Sequence, residues 1–165
     1  MVLSVHNWKF EVNVPLNMEI SSAQAADHCM CGYCRNFYQS VDAAYPTLRT
    51  FLAQFGADIE GPDELSPFEP TIYEASYIIN GSILAASEEM FSVDGIPVRV
   101  LPSSQADMDT IRPEPYFVLV IGLMELPWVL DEDPLEVISP ANEDAYLKRM
   151  EQKLLDRMSY GAISS

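Results

Sequence analysis

The sequence predicts an α+β domain with a mostly antiparallel sheet of about five or six strands, two consecutive N-terminal helices and a C-terminal helix. Three observations carry that expectation. Trp8, Phe10, Val12 and Val14 alternate with Lys9, Glu11 and Asn13, the period-two signature of a half-buried strand. Phe37, Val41 and Ala44, then Leu48, Phe51, Leu52 and Phe55, recur at helical spacing on either side of Pro46. Two turn dipeptides, Asn80-Gly81 and Asp94-Gly95, each stand between apolar runs as in β-hairpins.

Taken in order, the first strand runs from Trp8 to Val14 and is ended by Pro15. Leu16 to Asp27 is a polar, alanine-containing approach with room for a short helix. A helix covers residues 33–45, and Pro46 opens a second one, 46–55, stopped at Gly56. Residues 57–70 hold three prolines, five acids and a glycine, and read as a loop. Hairpins follow over 73–86 and 90–101, with Pro97 marking an edge or irregular strand. Residues 102–114 form a polar excursion. Tyr116 to Met124 is the most apolar strand and belongs at the sheet centre. Ser139-Pro140 caps the last helix, which carries Leu147, Met150, Leu154 and Met158 on one face. At 165 residues the whole chain, 1–165, fits one domain large enough to fold without a disulfide or metal staple.

Charge narrows the partners. With 25 acidic and 9 basic residues the formal net charge is −16. Between Arg49 and Arg99, and again between Arg112 and Lys148, acids occur with no base. Such a field repels nucleic acid and anionic membrane surfaces, which bind through Lys and Arg. It serves solubility and fits a basic protein partner. The N-terminus has neither the basic nor the apolar region of a signal peptide, and no apolar run reaches the length of a membrane span. The expectation is a cytoplasmic protein with reduced thiols. Asn80-Gly81-Ser82, formally a glycosylation sequon, then reads as a turn.

All three cysteines fall within six residues: Cys29, Cys31 and Cys34, preceded by His28. Three readings are open. The first is a metal site, because zinc takes four Cys or His ligands in a tetrahedron. Cys29, Cys31, Cys34 and His28 are the candidate ligands, with His6, a carboxylate or a second subunit as other sources of the fourth. No cysteine follows Cys34 and no histidine follows His28, so a self-contained two-half knuckle is absent. The second is redox: Cys31-Gly32-Tyr33-Cys34 is a Cys-x-x-Cys element opening a helix, where the thiolate is favoured. It resembles the active-site element of thioredoxins and glutaredoxins, but the preceding residues 23–28 are not the strand those proteins place there. The third is packing, since free cysteine behaves as a small apolar residue.

The run Cys29-Met30-Cys31-Gly32-Tyr33-Cys34-Arg35-Asn36-Phe37-Tyr38 resembles a motif of small acidic proteins of Gram-positive bacteria, a family with no assigned function. Ala44-Tyr45-Pro46, Phe55-Gly56 and Leu126-Pro127-Trp128-Val129-Leu130-Asp131 extend the likeness in the same order. The resemblance implies a cytosolic bacterial protein with a shared fold, and supplies no activity or catalytic residue.

No catalytic residue emerges from the sequence itself. Two histidines support no Ser-His-Asp set, Asp131-Glu132-Asp133 lacks the spacing of a calcium loop, and the seven glycines form no phosphate loop. Trp128 reads as a cover for the core edge, and Arg35 and Asn36 as groups that cap carbonyls or hold a carboxylate from the Asp131 region. The leading expectation is therefore a non-enzymatic cytosolic accessory or binding protein with a cysteine cluster suited to zinc. The alternatives are a thiol–disulfide oxidoreductase using Cys31 and Cys34, and an acidic inhibitor of a basic protein.

Overall fold

A computed structural model describes residues 1–26, 28–69, 71–106 and 112–132, together with Glu151, Gln152 and Leu155. The expected C-terminal helix after Pro140 falls almost wholly outside the described residues. Seven strands form an antiparallel sheet: β1 Val2–Val5, β2 Trp8–Val12, β3 Glu64–Glu69, β4 Ile72–Ala85, β5 Phe91–Val93, β6 Ile96–Pro102 and β7 Tyr116–Glu125. Among the described residues the sheet is accompanied by α1 Val14–Ala26, α2 Gly32–Ala44 and α3 Pro46–Gln54, and Glu151, Gln152 and Leu155 are helical as well. The strand order is β1-β2-β4-β7-β6-β5, with β3 paired to β4. The architecture is α+β and antiparallel as expected, with one or two more strands and one more N-terminal helix.

β2 alternates as its sequence requires, with Phe10 and Val12 buried and Lys9 and Glu11 exposed. It ends at Val12, two residues early. Val14 and Pro15 instead form the first turn of α1, where proline costs no hydrogen bond because the first amides of a helix have no partner. Asn13 sets that start: its Oδ1 accepts from the Leu16 amide at 3.3 Å.

The larger departure is at Asn80-Gly81. No hairpin turns there, and β4 runs through it as one strand. Residues 72–76 pair β3 on one side and β7 on the other, and beyond Asn80 the strand passes to β2. A hairpin asparagine sits in solvent, but Asn80 is 4% exposed and fully engaged. Its amide donates to Asn17 Oδ1 at 2.8 Å, its Nδ2 to Pro113 O at 2.8 Å, and its Oδ1 accepts from Arg112 at 2.9 Å. Gly81, at φ 152°, is a close-approach glycine: a Cβ there would lie 2.1 Å from Glu11 O. The same burial removes Asn80 from the surface that a glycosylation site needs.

The second expected hairpin does form. Asp94 and Gly95, both at positive φ, join β5 to β6. Asp94 has a further role, because its Oδ2 accepts the Leu48 amide at 3.0 Å in the first turn of α3. Within residues 57–70, read as loop, β3 was hidden by its proline. β3 pairs only β4, and such an edge position tolerates Pro67. β7 is central, between β4 and β6.

α2 and α3 cover one face of the sheet. Phe37, Val41, Leu48, Phe51, Leu52 and Phe55 pack with Phe10, Tyr73, Tyr77 and Phe117 in the main core. The α2 stripe is Tyr33, Asn36, Phe37, Ser40 and Val41, while Ala44 is exposed. A smaller cluster of Ile78, Val118 and Val120 packs with Leu101, Ala106 and Tyr116 on its own. A buried ion pair ties Arg112 to Asp63 at 2.9 Å, with side chains 5% and 2% exposed. Asp63 also accepts from Gln24 and from the Ile78 amide, so its charge is hydrogen-bonded from α1 and β4 as well.

Candidate metal centre

Cys31 is the N-cap of α2, in extended conformation at φ −65° and ψ 160°. Its carbonyl accepts the first helical bond, from the Arg35 amide, at 2.9 Å. Cys34 therefore lies on the first turn, three residues from the cap and on the same side of the helix. Upstream the chain folds back, and the Cys31 amide donates to Cys29 Sγ at 3.5 Å. The outcome is that the three Sγ atoms all lie within 4.8 Å of one another. Cys29 and Cys31 are exposed and Cys34 is half-buried; all three are free thiols.

The thiols are not equivalent. Cys31 is held down to about 5, first because Cys34 Sγ–H donates to its thiolate. Burial opposes this, while the peptide groups of Cys34 and Tyr33 and the Cys29 thiol add to it. Cys34 is pushed up for the complementary reasons: it supplies the shared proton, it is buried, and a second thiolate would face the first. Nearby tyrosines stay neutral. Burial and the thiolates raise Tyr38 and Tyr33, and burial pushes Tyr73 up to about 12 against the pull of its Asn36 hydrogen bond.

The two histidines fall differently. His6, in the β1–β2 turn at φ 51°, stacks on Phe91 with ring centroids 5.2 Å apart. His28 stacks on Tyr38 with centroids 4.0 Å apart, outside the trio of sulfurs. Its Nδ1 is buried with no hydrogen-bond partner among the described residues. Tyr38 in turn interacts with Cys34 through its hydroxyl. Sequence spacing does not single out Tyr38, which emerges here as a wall of the site.

The segment after β7 is held beside the head of α2 by Arg35, Asn36 and Tyr33. Asn36, fully buried in α2, donates through Nδ2 to Tyr73 Oη at 3.2 Å and Pro127 O at 3.1 Å, and its Oδ1 accepts the Val129 amide at 2.7 Å. Arg35 forks onto Glu132 at 2.7 and 2.8 Å and donates through Nε to Met30 O at 2.8 Å. Both roles expected of these residues are realised, with Glu132 as the carboxylate. Trp128 packs against the core edge, meets Tyr33 edge-to-face at 5.8 Å, and donates Nε1–H to Glu132 O at 2.7 Å.

The donor set fits a thiophilic divalent ion. Zn–S bonds of about 2.3 Å in a tetrahedron place sulfurs about 3.8 Å apart, so closure around an ion needs shifts of about 1 Å or less. Cys31 is a thiolate already near neutral pH, and metal binding would displace the remaining protons. Among the described residues no other group of three or more His, Cys, Asp or Glu has this arrangement. No helix among them is long and apolar enough to cross a membrane. No family model matches the chain, and no curated protein or solved structure matches it.

Proposed function

We propose that this is a non-enzymatic, cytosolic binding protein in which Cys29, Cys31 and Cys34 hold one zinc ion at the head of α2. His28 is the fourth ligand in this reading. The observation that carries it is the convergence of three sulfurs to within 4.8 Å. The buried, unpartnered Nδ1 of His28 supports its assignment, since leaving Tyr38 for a metal would give that nitrogen a partner. A closed Cys3His set is the arrangement of structural rather than catalytic zinc. The ion would fasten the Cys29–Cys31 loop to α2. The resemblance to small acidic Gram-positive proteins supports the cytosolic placement, and the net charge of −16 supports a basic protein as partner.

Cobalt(II) titration of the reduced, metal-free protein tests the reading. One equivalent should bind with intense sulfur-to-cobalt charge transfer and be displaced by zinc. Each Cys→Ser variant should weaken the complex. Absence of the charge-transfer band overturns the proposal. The rival thiol–disulfide activity rests on the lowered Cys31 thiol. It would be favoured by metal-free isolated protein that forms a reversible Cys31–Cys34 disulfide and reduces disulfide substrates.

A further inference from the structure

Arg35 stands out because its guanidinium is used twice. Its fork grips both oxygens of Glu132, and its remaining nitrogen donates to the carbonyl of Met30. Met30 is the residue between Cys29 and Cys31, and its own side chain is exposed at 64%, so packing does not hold that peptide in place. Glu132 is fixed from the other side by Trp128, whose indole donates to its carbonyl. An exposed ion pair contributes little to folding by itself. What this one does is orient: Glu132 aims the guanidinium, and the guanidinium pins the Met30 carbonyl, midway along the segment that carries Cys29 and Cys31.

We propose that Arg35 and Glu132 are positioning residues for the Cys29–Cys31–Cys34 site, coupling its affinity for zinc to the seating of residues 126–132. This rests on the zinc reading and deepens it. Groups that hold ligands in place commonly change metal affinity by 10–100-fold when removed. Coupling is reciprocal, so zinc should also tighten the seating of Trp128.

The test uses the full chain and zinc itself, in competition with a chromophoric chelator. Arg35→Lys keeps the charge but loses the fork, and Glu132→Gln keeps the shape but loses the charge. Both should bind zinc about 10–100-fold more weakly than the natural chain. Asp42→Asn, which removes from α2 the partner of Arg49 in an exposed pair between α2 and α3, should leave affinity unchanged. Thermal unfolding of the metal-free variants should match the natural chain, separating positioning from general stability. Zinc should alter Trp128 fluorescence in the natural chain and less in Arg35→Lys. If the natural chain binds zinc and both variants bind it as tightly, positioning is overturned while the zinc site stands. Full affinity in Arg35→Lys with loss in Arg35→Gln would also overturn it, by showing that charge alone suffices. If the natural chain binds no zinc, the site and its positioning fall together.

Discussion

Replacing Asn36 with alanine should cost about 3 kcal/mol and release the segment held beside the head of α2. The side chain is fully buried and makes three hydrogen bonds, to Tyr73 Oη, Pro127 O and the Val129 amide. Each contributes about 1 kcal/mol net, which sets the total at about 3 kcal/mol. At about 2–4 °C per kcal/mol for a chain of this size, the midpoint of thermal unfolding falls by about 6–12 °C. Urea unfolding gives the free energy. Hydrogen exchange at the Val129 amide gives the local effect, which should change from slow to fast. Asn36→Asp keeps the acceptor for Val129 but sets a carboxylate against Pro127 O. It should be more damaging than alanine near neutral pH and recover as acid protonates it and restores a donor. A loss under about 1 kcal/mol, with Val129 exchange unchanged, would refute the claim that Asn36 fastens this segment.

Two further outcomes follow from the geometry. Gly81→Ala should destabilise by more than about 2 kcal/mol, because the new Cβ would meet Glu11 O at 2.1 Å in a backbone conformation that L residues avoid; unchanged urea unfolding would contradict the close β2–β4 approach. In the reduced, metal-free protein, ultraviolet thiolate absorbance should rise by one equivalent with a midpoint of about 5, and Cys31→Ser should abolish that step. The depressed Cys31 thiol contributes stability above the free-thiol value, lost as pH falls through about 5, whereas the raised Cys34 thiol contributes below the free-thiol value and loses it as pH rises. The thiolate–thiol pair is therefore favoured from about 5 up to the free-thiol value near 8.5, and Cys31 and Cys34 titrating together near 8.5 would contradict it.

Legibility in the sequence followed the kind of force that holds each element. α2 and α3 bury Phe37, Val41, Leu48, Phe51, Leu52 and Phe55, and apolar spacing of that sort is visible without coordinates. α1 was only half visible because polar bonds dock it: Asn17 bridges Phe55 O and Asn80, and Ser21 accepts the Asp58 amide. The Asn80-Gly81 dipeptide carries the local chemistry of a turn, but distant partners (Asn17, Arg112, Pro113 and Glu11) override it. β1 is short, half-exposed and at an edge, so it lacked a long alternating run. At the site, the thiols converge through local spacing, Cys31 at the cap and Cys34 one turn on, which a sequence shows. Glu132 is 97 positions from Arg35, and the choice among the acids near Asp131 was not legible from charge alone.

Zinc K-edge X-ray absorption of the reduced protein, loaded with one equivalent, decides whether the three sulfurs hold the ion. Three sulfur scatterers at about 2.3 Å and one nitrogen at about 2.0 Å are expected. A first shell made only of oxygen and nitrogen would contradict this.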